Sequence, residues 1–239
     1  MPTAEDLSAV LAGAVVDPAI FDLRPDYRVL LLAVAGIVPR LSDDDSEAQL
    51  VAAEASARAL LAEVPAELVP HVASWREAYR AFGAKPQRTR NSLEALLRRA
   101  EDGLPRVNRL TDIYNAVSVQ HLIPLGGEDL HRYVGAPRLA VATGSEQFDT
   151  VAGGESIVEH PEVGEVIWCD DAGVTCRRWN WRQARRTGLS DATTTTLFIM
   201  DALAPLTDAG LEAAGDDLLA RVERLGPDVR SARRLIGAS

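Results

Sequence analysis

The chain has 239 residues, 47% of them apolar, and 35 acidic residues against 25 Lys and Arg, for a formal charge of −10. That length accommodates one large domain or two small ones with ample core, and the composition is that of an ordinary soluble globular protein. The acidity argues against a generic polyanion binder, two cysteines make no disulfide framework, and no apolar run is long enough to span a bilayer.

The N-terminal MPTAEDLSAV has no basic stretch followed by a long apolar core, so no secretory signal is expected and a cytoplasmic location is. Residues 4–14 read as mixed helix and turn. Val29 to Val38 is a continuous apolar run flanked by Pro25 and Pro39, which predicts a buried strand. The acidic cluster 42–45 caps an alanine-rich helix over 46–63. A second helix over 70–82 places Val72, Trp75, Tyr79 and Phe82 at spacings of three and four, a core stripe.

Gly83 stops that helix, and AKPQRTR forms a basic loop before the next helix, 93–101, capped by Asn91-Ser92. From Arg76 to Arg109 there are nine basic residues against four acidic ones. Lys85, Arg88 and Arg90 in the loop either hold an anion at a helix N-terminus or are simply solvated. A helix is predicted within 106–125, ending before Pro124, followed by a Gly126-Gly127-Glu128-Asp129 turn. Residues 138–143 and 148–151 alternate as strands, and Gly153-Gly154-Glu155 turns without a phosphate-loop signature.

Gly164 to Leu203 carries the densest chemistry. Val166 to Cys169 and the run from Val174 predict a hairpin, with Thr193 to Leu203 as a third strand. Cys169 and Cys176 flank the hairpin turn, a spacing at which they would face each other across the strands, and are expected as free thiols in a reducing cytoplasm. Trp179, Trp181 and five arginines between Arg177 and Arg186 sit on this element. They read either as an aromatic–guanidinium binding surface or as an amphipathic strand with snorkelling arginines. Strict alternation would put Trp179 and Trp181 on one face and Asn180 and Arg182 on the other, unless a bulge intervenes. Residues 206–225 predict a helix and 227–239 a short terminal helix. The reading is one domain over 1–239, with 1–80 its strand-helix part and 206–239 its C-terminal helices. No metal-ligand spacing and no cofactor motif is present, and no Ser-His-Asp or Cys-His set is legible.

NRLTDIYNAVSVQHLIPLGGEDL, ATGSEQFDTVAGGE and TTTTLFIMDAL resemble the B3/B4 module, the editing domain of the bacterial phenylalanyl-tRNA synthetase beta subunit. AFGAKPQRTR with CRRWNWRQARRT is similar to free-standing B3/B4-domain proteins. The resemblance implies an α+β fold, a three-layer sandwich of two β-sheets and a helical layer, with a pocket that, in the synthetase, admits the 3′ end of a mischarged tRNA and hydrolyses tyrosine from it. By the same resemblance Asn115 matches a pocket asparagine, with Tyr114 in place of a threonine. The pocket histidine falls on Gly126, and the acid that reads a tyrosine hydroxyl falls on Ile199. Asp201, two residues on, either substitutes for that acid or is an edge carboxylate.

Substrate binding is therefore expected at Asn115, Gly126, Gly127, Trp179, Asn180 and Arg182, and RNA contacts at Lys85, Arg88, Arg90 and Arg178. Glu128, Asp129, Glu155 and Asp201 are candidate catalytic carboxylates or turn caps. The expected partner is a tRNA 3′ end or an amino-acid-like small molecule, with no DNA and no membrane. Trans-acting hydrolysis of an aminoacyl ester and non-catalytic binding both fit these residues.

Overall fold

The computed structural model describes residues 2–238. Helix α1 (Ala4–Ala12) is capped by Thr3, whose hydroxyl accepts from the Asp6 amide at 3.1 Å. The short strand β1 (Val15–Val16) and the proline-initiated α2 (Pro18–Leu23) lead into β2 (Arg28–Ala35), the buried strand anticipated from its apolar run. Four helices follow: α3 (Asp44–Glu63), α4 (Pro70–Ala81), α5 (Ser92–Arg99) and α6 (Arg109–Gln120). Asp43, Asn91 and Asn108 cap α3, α5 and α6 by accepting from backbone amides three residues on, which satisfies donors the helix itself leaves free.

The second half is mostly strand. It runs through β3 (Leu125–Asp129), β4 (Arg138–Val141), the β5 (Phe148–Ala152) and β6 (Glu155–Glu159) hairpin, then β7 (Val166–Asp170) and β8 (Gly173–Arg177). A two-residue β9 (Arg182–Gln183), β10 (Thr195–Ala202), α7 (Asp208–Val222) and β11 (Arg230–Gly237) complete it. The strands form a five-stranded sheet in the order β1-β4-β7-β8-β9, a four-stranded antiparallel sheet in the order β11-β2-β10-β3, and the separate β5-β6 hairpin.

The period of two in β2 and β10 builds the layers. Val29, Leu31, Ala33, Leu197 and Ile199 meet Leu139, Val166 and Trp168 of the other sheet, with Trp75 and Tyr79 of α4 in the same core. The alternate residues Leu30, Leu32, Val34, Phe198 and Met200 face Ile113 and Val117 of α6 and Leu211 and Leu218 of α7. The other side of α6 packs on α3 and α5 through Ala116 and Val119. The fold is thus α+β: sheet, sheet and helices, in three layers. Among the described residues no helix is long and apolar enough to cross a membrane.

Five expectations need correction. Gly126 to Asp129 is not a turn but strand β3, paired Gly126 to Ile199 and Gly127 to Phe198. Its glycines provide space rather than a positive φ: a Cβ at Gly127 would lie 3.1 Å from Leu189 and Tyr114, and one at Gly126 2.8 Å from the Gln183 amide nitrogen. Residues 227–239 do not add a helix to the C-terminus. β11 instead pairs along the whole of β2, because that strand's ladder groups need partners, and this overrides the helix propensity of an Ala/Arg/Leu-rich segment. β10 is not the third strand of the β7–β8 hairpin; it lies in the opposite sheet. Cys169 and Cys176, both free, do not face each other, because a bulge pairs Trp168 with Cys176 and Cys169 with Val174. They end in different cores.

The fifth correction concerns residues 178–181. They form a turn, with Arg178 at φ 48° and Trp179 at φ 69°, so strand alternation fails there. Two consecutive non-glycine residues in the left-handed region are sterically costly and persist only when packing holds them. Trp179 supplies that packing: it is fully buried, edge-on to Tyr27 at 5.0 Å and to Trp75 at 5.2 Å between ring centres.

Candidate functional site

A cleft of about 350 Å³ opens between the two sheets, walled by α5 and α6. Asn115 and Tyr114 border it from α6, Gly126 and Glu128 from β3, Ile199 and Asp201 from β10, and Trp168 and Cys176 from the β7–β8 hairpin. The turn at 178–181 contributes Trp179, Asn180 and Trp181 together, which strict alternation would have forbidden. Gln183 follows from β9, while Leu96 and Arg99 of α5 line the opposite side. The walls are mainly apolar and aromatic, with a few converging polar groups, the usual make-up of a small-ligand site.

The polar floor is tied to the fold by four side chains from distant parts of the chain. Asp201 is 2% exposed. One of its oxygens accepts from the Tyr27 hydroxyl at 2.6 Å and the other from the Asn180 amide at 3.3 Å. The Asn180 carbonyl oxygen Oδ1 accepts from the Tyr79 hydroxyl at 2.9 Å, and its backbone carbonyl accepts from the Ser92 amide at 3.0 Å. Asn180 therefore fastens α4, the start of α5 and β10 to one turn. Burial pushes the Asp201 carboxyl up to about 7, with the Tyr27 hydroxyl, the Asn180 amide and the Trp168 indole opposing that rise.

Glu128 is the second buried carboxyl in the cleft. One oxygen accepts from the Tyr133 hydroxyl, and the other, Oε1, has no partner. Burial pushes this carboxyl to about 7 as well, against the hydroxyls around it. The indole N–H groups of Trp168 and Trp179 and the Ser92 hydroxyl are likewise buried without acceptors or donors. These four atoms belong to residues lining one cleft, whereas buried polar groups are normally paired; the Trp168 indole lies beside Asp201 and the Trp179 indole beside the Tyr27 hydroxyl.

The cleft thus gathers Asn115, Gly126, Trp179, Asn180, Glu128 and Asp201. It does not gather the rest. Gly127 faces away from it, toward Tyr114, Leu189 and Phe198. Arg182 donates to the Val151 carbonyl at 3.1 Å and lies 4.0 Å from Glu159, outside the cleft. Asp129 accepts from the Thr193 hydroxyl at 2.8 Å and the His131 amide at 3.0 Å, a structural cap. Glu155 is exposed at the start of β6, beside the hairpin turn. Lys85, Arg88 and Arg178 border a separate polar hollow of about 300 Å³, together with Glu162 and Glu165. Arg178 also stacks on Trp181, 4.6 Å from the ring centre. Arg90 lies apart from this hollow, 3.8 Å from Glu94.

Residues 74–224, well over half the chain, match the profile of the B3/4 domain. The chain belongs to the B3/4 domain family. The matched span contains all the cleft residues named above, and of the residues that hold them only Tyr27 lies outside it. Among solved structures the chain is similar to an N-terminal fragment of the phenylalanyl-tRNA synthetase beta-subunit from Pyrococcus horikoshii, with 12% identity and a TM-score of 0.45. The likeness covers 91% of this chain and 50% of that one, so this chain spans about half the length of the fragment. Comparison with curated protein sequences gives no match.

Sequence reasoning missed Tyr27, Tyr133, Trp168 and Gln183, because their places depend on which strands pair. Tyr79 was read as core and is core, but its hydroxyl end serves the site.

Proposed function

We propose that this B3/4 domain uses the cleft to bind the aminoacyl end of a tRNA or a related aminoacyl ester, and that it promotes hydrolysis of that ester. One observation carries the reading: two buried carboxyls, two asparagines and three tryptophans converge on one mainly apolar cleft of about 350 Å³. Aromatic walls suit an amino-acid side chain, and the polar cluster suits the backbone atoms of an aminoacyl group. The family, whose motifs resemble the editing module of a synthetase that charges tRNA, gives the reading its substrate class.

No histidine lines the cleft, and the Cys176 thiol is pushed well above its ordinary value by burial, so it is not an activated nucleophile. Hydrolysis would instead use a water directed at the ester carbonyl. Asn115 would orient it, for its amide has no side-chain hydrogen bond to the protein among the described residues, and the Asp201 carboxyl, raised to about 7, would take the proton. Incubation with a panel of charged tRNAs tests the reading: release of amino acid from one or a few members is the expected result. Binding without release would favour the second reading, a non-catalytic module, which the full engagement of Asp201 by Tyr27 and Asn180 supports. Neither binding nor release would end both.

The basic loop supplies the RNA side of the proposal. Lys85 and Arg88 make no ion pair among the described residues and are exposed near the cleft wall formed by α5. Replacing them by alanine should flatten the salt dependence of tRNA binding by about one unit of log–log slope for each phosphate no longer neutralised.

A further inference from the structure

We propose that Glu128 is the anionic anchor for the free ammonium group of an aminoacyl ligand, and so sets the cleft's preference for an unblocked amine. The inference rests on the reading that the cleft accepts an aminoacyl group, and it assigns a specific chemical duty to one residue within it.

The reasoning comes from how this protein treats its other buried acids. Glu94 is fully buried and is met by Arg76 at 2.8 Å and Arg98 at 3.0 Å. Glu165 is met by Arg177 through both oxygens, at 2.9 and 2.8 Å. Asp170 is met by Arg186 at 2.7 Å. Asp129 and Asp112 lack a cation but use both oxygens on hydroxyl or backbone donors. Asp201 is filled on both oxygens as well. Glu128 alone among these seven has only hydroxyls beside it, those of Tyr133, Thr175 and Thr187, and one oxygen that none of them reaches at hydrogen-bond distance, and among the described residues no cation lies within ion-pair distance of it.

A carboxyl removed from water without a counter-charge is costly, and proteins keep such a group where something else supplies the charge. Glu128 borders the cleft, so a ligand can supply it. Its neighbour on the same strand face, Gly126, has no side chain to screen it, and the nearest obstacle there is the movable end of Gln183. Another orphan group on a cleft-lining residue completes the complementarity. The indole N–H of Trp168, beside the Asp201 carboxyl but with no acceptor within hydrogen-bond distance, is a donor that an ester or amide carbonyl would satisfy. A ligand offering one cationic donor and one neutral acceptor close together, beside an apolar side chain, is an aminoacyl group with a free amine. Burial already pushes the Glu128 carboxyl up to about 7, the direction expected of an acid whose counter-ion is absent.

The test uses the full chain and amides of apolar and aromatic amino acids, each paired with its N-acetyl derivative, with affinities measured by calorimetry. The free-amine form should bind at least about tenfold tighter than its N-acetyl partner, as expected for a charge-assisted contact. In Glu128→Gln that ratio should collapse toward one, through loss of affinity for the free-amine form. The glutamine keeps an acceptor for the Tyr133 hydroxyl, and circular dichroism of the variant checks its fold. The parent comparison needs no variant at all. Equal binding of both forms by the parent, or an undiminished ratio in Glu128→Gln, overturns the assignment and leaves the cleft reading intact. Failure of the parent to bind any amide in either form overturns both.

Discussion

The two faces of β10 are equally buried and differ in everything else. Phe198, Met200 and Ala202 face the helices and join Leu30, Leu32 and Val34 in an apolar core, with the buried Thr196 on the same strand face. Leu197, Ile199 and Asp201 face the other sheet, where the last of them meets Tyr27 and Asn180 and opens on the cleft. The helix-facing side shows what a strand needs in order to stay folded. The sheet-facing side shows what it carries in addition, namely groups that cost stability and are kept.

The largest expected effect lies on the apolar face. Phe198→Ala should lower stability by about 3–5 kcal/mol, since it leaves a cavity against Tyr114 and α6, and chemical denaturation with a fixed slope would measure it. Asn180→Ala should cost less, about 1–3 kcal/mol, because it orphans the Tyr79 hydroxyl and one oxygen of Asp201. It should also abolish ligand binding, which a change confined to the helix-facing side should not do in the fraction that remains folded.

The pH dependence sharpens the contrast. Asp201 and Glu128 rise from 3.8 and 4.5 to about 7 on folding, so between those limits the folded chain holds protons that the unfolded chain has released. Stability from this source is present at acid pH and is lost as pH climbs toward 7. His71, held neutral down to about 4 by burial, runs the opposite way between pH 4 and 6.5. The check is therefore a difference: thermal unfolding of the parent minus that of Asp201→Asn should fall from pH 5 to pH 8. A flat difference would show that the carboxyl is not held neutral.

The smallest effects separate space from structure. Gly126→Ala meets only the end of Gln183 and should cost about 1 kcal/mol through its hydrogen bond to the Gly127 carbonyl. Ligand affinity should drop further than stability, because the methyl enters the cleft. Arg182→Ala should change neither binding nor stability by more than about 0.5 kcal/mol, since its side chain does not line the cleft and makes one exposed hydrogen bond, a long 4.0 Å ion pair with Glu159 and distant contacts with the Phe148 and Trp181 rings.

Local chemistry alone determined much of this protein. The helices α3 to α6, the apolar run of β2 and the 166–177 hairpin were all legible, because caps, helical stripes and β-branched runs act over a few residues. The motif around Asn115 and the tryptophan-rich turn both contribute residues that line the cleft. Tertiary structure decided the rest. It made Gly126 to Asp129 a strand, turned the terminal segment into the edge of the second sheet, and twisted residues 178–181 so that Trp179, Asn180 and Trp181 share one wall while Arg182 leaves it. It also recruited Tyr27 and Tyr79 to hold Asp201 and Asn180 from 174 and 101 residues away. Strand pairing and side-chain satisfaction are contacts between distant parts of the chain, and a short window of sequence carries no record of which partner will arrive.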